Sequence, residues 1–208
     1  ICFAFNSICI AQNSLDVSKL KDLEIYLNEE IRNNKAAGIE ALIYHKGEIV
    51  WHEAYGYSSL KDNLPLEKNS IYYIQSMTKP IMSVAIMQLI EKGKLRLDDN
   101  ASKYYPPLKK LEVIEDINTG IYGPTVDVKY PITIRQLLTH TAGLSHGLEE
   151  NIFDQQLFKL MYNDLFDPAE YDILEERVEK LMQVPLIGQP GEQWYYSAAP
   201  DILALILQ

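Results

Sequence analysis

The chain has 208 residues, 47% of them hydrophobic, and a formal net charge of −10 at pH 7. That length suits one domain or part of a larger one. That negative charge argues against nucleic acid or an anionic membrane surface as partner because both reward basic patches. The acidic residues are scattered and read as a solvated surface, and no stretch approaches the roughly 20 apolar residues of a membrane span.

In chain order, Ile1 to Gln12 is apolar and ends with small residues at Cys9 and Ala11, the pattern of a signal-peptide h-region and cleavage site. Residues 1–11 are therefore expected to be a signal-peptide remnant, and the protein to be exported to the periplasm or secreted. A buried first strand is the alternative. Neither an initiating Met nor a basic segment comes first, so the start reads as clipped. Ile8 occupies the place where a lipobox wants a small residue, so Cys9 is not read as a lipid anchor. Cleavage after Ala11 would remove both cysteines, and with them any disulfide, thiol chemistry or cysteine metal site.

Residues 12–208 form the candidate domain. Leu20, Leu23, Leu27 and Ile31 recur at helical spacing among charges, predicting a surface helix within Asp16 to Lys35 that Gly38 ends. Ile39 to Tyr44 and Glu48 to Tyr57 are rich in β-branched and aromatic residues and flank His45-Lys46-Gly47. They predict an antiparallel hairpin over 38–57. A polar turn through Asn63 and Pro65 leads to a strand-like Ile71-Tyr72-Tyr73-Ile74.

Ser76-Met77-Thr78-Lys79 follows at once. Chance alone gives about one such spacing in a chain of this composition, and two other copies, beginning at Ser18 and Ser58, read as surface polar segments. Context sets the third apart. From Pro80 to Gly93 the chain is apolar on nearly every face, the pattern of a buried helix, and Gly93 suits its C-terminus. Pro80 belongs near a helix start, so Ser76 and Lys79 stand one turn apart at the positive end of the macrodipole. That is a ready arrangement for an activated serine nucleophile. Helix capping by Ser76 or Thr78 is the plainer alternative.

Beyond this helix, Leu95 to Pro107 reads as an irregular connection, with Asp98-Asp99-Asn100 as a turn and cap rather than a calcium loop. Glu112 to Tyr130 contains Gly120, Gly123 and Pro124 and reads as an exposed loop. Ile132 to Leu138 predicts a short helix capped by Thr133, and Asn151 to Val184 is helical in pattern with a break near Asp167-Pro168. An apolar helix begins at Ala199 and reaches Gln208 without a stop signal, so this end also reads as cut.

Three segments in order carry a resemblance: Gln75-Ser76-Met77-Thr78-Lys79-Pro80, then Ile132 to Ser145 with Leu137-Leu138-Thr139-His140-Thr141-Ala142-Gly143-Leu144 at its centre, then Pro190-Gly191-Glu192-Gln193-Trp194-Tyr195-Tyr196-Ser197. Together they resemble the serine β-lactamase-like superfamily of class C β-lactamases, D-alanyl-D-alanine carboxypeptidases and related carboxylesterases. The resemblance implies an α/β fold: an antiparallel sheet flanked by helices, with a mainly helical region over 76–208. It also implies Ser76 as the acylated nucleophile, Lys79 as its activating partner and Tyr196 as the phenol that serves as base and then returns a proton to the leaving group.

Tyr195 and Ala198 are the candidate substrate-binding positions. The family's β-lactamases and peptidases usually carry Asn two places after the tyrosine, and a methyl group at Ala198 offers a substrate amide no hydrogen bond. Tyr196-Ser197-Ala198-Ala199-Pro200-Asp201-Ile202-Leu203 looks more like the carboxylesterase branch, so a small-molecule ester is favoured over a β-lactam or amide, with a β-lactamase, a D-alanyl-D-alanine carboxypeptidase or a catalytically silent ligand-binding relative as the alternatives. The family's third active-site segment and its later strands are not found before Gln208. The chain as written is accordingly expected to be a weak catalyst with an exposed, poorly soluble sheet edge.

No cofactor or metal is implied. His45, His52, His140 and His146 lack a metal-site pattern and read as structural or surface residues, His140 as loop scaffolding. Trp194 is expected to pack under the tyrosine turn. The pairs Tyr104-Tyr105 and Tyr195-Tyr196 admit either a binding platform or core packing. Oligomeric state is not legible.

Overall fold

The structure, a computed structural model, describes residues 16–162 and 173–208. The expected signal-peptide remnant, both cysteines and the break near Asp167-Pro168 lie outside the described residues. The chain divides into two compact units, residues 1–73 and 74–208.

In the first unit, helix α1 spans Leu20–Arg32 behind a 3₁₀ turn at Val17–Lys19. It closes earlier than its pattern suggested. Asn34, at φ 55°, supplies the left-handed residue that ends it, and Gly38 instead opens strand β1 (Gly38–His45). β1 pairs antiparallel with β2 (Glu48–Ser59) through Lys46-Gly47. Both turn residues have positive φ, 50° and 91°, as a two-residue hairpin of this twist requires. The expected hairpin is thus present, with a register shift between Ile43 and Tyr44.

A two-residue strand β3 (Leu64–Pro65) adds to β2. Ile71 to Ile74 is not a strand: its β-branched and aromatic composition meets no ladder partner, and Ile71 is fully exposed. Propensity without a neighbouring strand does not make one.

The second unit is mainly helical. Helix α2 (Thr78–Glu91) follows a 3₁₀ turn at Gln75–Met77. Gly93, at φ 67°, ends it, with the Lys94 amide bonded back to the Leu89 carbonyl. Contrary to expectation this helix is buried on one side only. Ile86 is fully buried, with Met82, Leu89 and Ile90 on the core, while Ile81, Val84 and Met87 face outward.

Glu112 to Tyr130 is a second departure. Val113 and Ile114 form strand β4 (Val113–Ile114) against β5 (Thr125–Val126), both are about 4% exposed, and the Ile114 amide donates to Leu186. Gly and Pro marked the turns but concealed the apolar pair that carries the segment inward.

Helix α3 (Ile134–Leu138) has the expected Thr133 cap, completed as a capping box by Gln136. Helices α4 (Ile152–Met161), α5 (Leu174–Leu181) and α6 (Ala199–Leu207) follow. The core centres on Phe153, Leu157, Val178, Leu186, Ile202 and Leu203. Among the described residues no helix is long and apolar enough to cross a membrane.

Candidate active site

Ser76 sits inside the 3₁₀ turn that runs into α2, and neither helix start has a side-chain cap. The plainer capping role for Ser76 or Thr78 is therefore not adopted. Just before it, Gln75 holds a left-handed φ of 45°, a costly conformation for a side chain of its kind. Three residues on, Lys79 projects from the same face, and its Nζ donates to Ser76 Oγ at 3.2 Å.

Tyr196 arrives from 120 positions away, and its phenol donates to Ser76 Oγ at 2.6 Å. Lys79 Nζ also stands over the Tyr196 ring, 4.7 Å from its centroid. Hydroxyl, amine and phenol thus converge on one oxygen. Burial works to raise the Tyr196 pKa, but its hydrogen bonds with Lys79 and Ser76 and the charge on Lys79 outweigh that, leaving the phenol below its ordinary value.

What holds Tyr196 there is the 140s loop. The amides of Ile187, Gly191, Tyr195 and Ala198 donate to the carbonyls of Gly143, Thr141, His140 and Ser145 respectively. Gly143 has φ 77°, and a Cβ there would stand 2.0 Å from the Gly188 carbonyl oxygen, so the close approach needs glycine. His140, itself at φ 56°, contacts Ser197 Oγ through Nδ1 at 2.9 Å and receives the Ser197 amide at 3.2 Å. Burial and then the Lys79 charge hold the His140 imidazole below its usual range.

The other candidates are placed differently. Ala198 is buried at the start of α6 and belongs to the helical core. Tyr195 packs against Gly188 and donates to Gln193 Oε1 at 3.0 Å. Trp194 is not under the turn but beside it: 63% exposed, its ring is edge-on to His140 at 6.1 Å and tilted to Tyr196 at 6.3 Å. Trp194, Tyr195 and Tyr196 line a cavity of about 320 Å³ with Ile187, Glu149 and Asn151, within the range of small-molecule sites. His146, stacked on Tyr196, and Tyr162, stacked on His146, carried no site signal, because neither lies in a spacing that local sequence could connect to Tyr196.

A hydroxyl addressed by an amine and a phenol at a helix N-terminus is the arrangement of an activated serine nucleophile. The Beta-lactamase family model matches residues 24–208, and the chain belongs to that family, with a β-lactamase/transpeptidase-like fold. Esterase EstB of Burkholderia gladioli is 28% identical over 200 residues, covering 94% of this chain and 46% of its own length. Penicillin-binding protein 4* of Bacillus subtilis (strain 168) is 26% identical over 163 residues, covering 77% of this chain and 30% of its own length. Among solved structures, EstCE1, described as a hydrolase with promiscuous acyltransferase activity, superposes with a TM-score of 0.73 at 28% identity, over 91% of this chain and 46% of that one. The chain thus spans less than half the length of these relatives.

Proposed function

We propose that the protein is a serine hydrolase that cleaves small carboxylic esters through an acyl-enzyme on Ser76. The observation that carries this reading is the convergence of Tyr196 at 2.6 Å and Lys79 at 3.2 Å on Ser76 Oγ. With its pKa lowered, Tyr196 is the candidate base: as phenolate it takes the Ser76 proton while Oγ attacks the ester carbonyl. The start of α2 favours the negative charge that develops. As the tetrahedral intermediate collapses, the ester C–O bond breaks and Tyr196 returns the proton to the departing alkoxide. Water, deprotonated in turn by Tyr196, then releases the acid and frees Ser76.

Esters are favoured because position 198 carries no hydrogen-bonding side chain and Ala198 is folded into the core, leaving a substrate amide without a partner there. The likeness to EstB and EstCE1 supports the same choice. Tyr195, on the cavity wall, is the candidate for substrate contact. Cleavage of β-lactams or D-alanyl peptides is the second reading, supported by the likeness to penicillin-binding protein 4*. Export to the periplasm or medium is part of the proposal and rests on the apolar opening segment.

A fluorophosphonate probe applied to the full-length protein should label Ser76, and substitution by Ala should abolish labelling. Labelling that survives Ser76→Ala ends the proposal. Nitrophenyl ester and nitrocefin turnover, compared on one preparation, decide between the two substrate classes.

A further inference from the structure

Three aromatic rings lie nearly parallel beside the reacting groups. His146 stacks on Tyr196 with centroids 5.5 Å apart and planes 10° apart, and on Tyr162 at 5.7 Å and 5°. A cation stands at each end of this row: Lys79 Nζ over Tyr196 at 4.7 Å, and the Arg177 guanidinium over Tyr162, also at 4.7 Å. Cations attract the faces of electron-rich rings, and offset parallel rings attract each other. A row closed by cations at both ends is therefore held along its whole length.

Hydrogen bonds fix the centre of the row. Arg177 Nη2 donates to the Tyr162 oxygen at 2.6 Å, and its Nε donates to Asp201 Oδ2 at 2.7 Å. Arg177 can only donate, so the Tyr162 oxygen accepts from it, and the same oxygen is hydrogen-bonded with His146 Nδ1 at 3.0 Å. Burial holds the His146 pKa below the usual imidazole range, with the Lys79 and Arg177 charges acting the same way and a hydrogen bond to its own backbone and the Asp201 charge opposing.

We infer that His146 is a positioning residue for Tyr196: locked through Tyr162 and Arg177, its ring fixes the plane of the phenol that addresses Ser76. This rests on the role proposed above for Tyr196. It assigns His146 no contact with substrate. Its effect is to hold the phenol oxygen within reach of Ser76 and the ring under Lys79, the charge that presses on Tyr196 from α2, with His140 at 5.2 Å and Trp194 at 6.3 Å as the other rings beside it.

The test uses the full-length protein and a nitrophenyl ester, with Ser76→Ala as control. If that control is still labelled by fluorophosphonate, the Ser76 reading has failed and the His146 result says nothing of it. With the control inert, His146→Ala should lower kcat by about 10²-fold, the cost of misplacing a reacting group by an ångström, with KM within about threefold. Freed from Lys79, Tyr196 should also titrate higher, moving the ascending limb of kcat/KM against pH upward. His146→Phe keeps a flat ring in place and should return both rate and limb toward the parent.

Parental kcat and pH profile in His146→Ala overturns the inference, as does a His146→Phe variant no better than the alanine one. Should His146→Ala fail to fold, Tyr162→Phe replaces it. That change keeps the rings but deletes the hydroxyl shared by His146 and Arg177, and it should shift the limb in the same direction. An unmoved limb counts against the positioning role.

Discussion

The starts of helices α2 and α6 place the candidate reacting groups on opposite terms. Both are rich in apolar residues, yet α6 buries Ala199, Ile202 and Leu203 almost completely, whereas α2 fully buries Ile86 and leaves Ile81, Val84 and Met87 outside. Ser76, in the turn before α2, and Lys79, in its first turn, are placed by local geometry, since residues three apart on a helical turn share a face. Tyr196, at the entrance to α6, is placed by distant chain: four backbone bonds to the 140s loop and the row of rings beside it. Losing a local group should remove chemistry and spare the fold, whereas loosening the α6 side should cost both.

The largest effect belongs to the nucleophile. Ser76→Ala should reduce ester turnover by about 10⁵- to 10⁶-fold, the scale seen when a catalytic serine is removed, while the thermal midpoint stays near that of the parent. Ser76 is exposed and caps nothing, so a large fall in the midpoint would show that the α2 end is less local than its geometry implies.

Next comes the phenol. Tyr196→Phe removes the proton carrier and keeps the ring, so a loss of about 10²- to 10⁴-fold is expected. Lys79→Met sharpens the comparison through pH. In the proposed mechanism the active form is the phenolate, so kcat/KM should rise as pH passes through the Tyr196 pKa. Lys79 lowers that pKa, and removing its charge should move the rising limb to higher pH and depress the rate most at neutral pH. A limb that stays where it was would mean that Lys79 does not govern Tyr196.

The third effect is on stability. Ile202 is fully buried in α6, and Ile202→Ala should cost about 2–5 kcal/mol of unfolding free energy, measured by urea titration. Because Tyr196 enters the same helix, part of the esterase activity should go with it well below the unfolding midpoint. Activity that persists until global unfolding would separate the placement of Tyr196 from the packing of α6.

These contrasts also explain how far the sequence could be read. The Ser76–Lys79 spacing, the Lys46-Gly47 turn, the Thr133–Gln136 capping box and the Gly93 helix stop are local, and each is written in neighbouring residues. The match to the family's tyrosine segment located Tyr196, but not what holds it. The link between His146 and Tyr162 crosses 16 positions and the link between Tyr162 and Arg177 another 15, and neither has a sequence period. Burial was the least legible property. Val113 and Ile114 hid within a Gly- and Pro-marked loop because two apolar residues make no pattern, and α2 is apolar also on a face, Ile81, Val84 and Met87, that lies off the core of its own unit.

That outer face gives the smallest expected effect and the most direct check on the contrast. Ile86 and Val84 are two residues apart on α2, with equal claims to burial from composition alone, yet one is fully buried and the other 59% exposed. Ile86→Ala removes packed methylenes and should cost about 2–5 kcal/mol. Val84→Ala trims a side chain already in water and replaces a β-branched residue with the best helix former, so its effect on the 208-residue chain should stay within about 0.5 kcal/mol. If Val84→Ala cost as much as Ile86→Ala, the outer face of α2 would have to be packed, and the local character assigned to the Ser76 end of the site would have to be withdrawn.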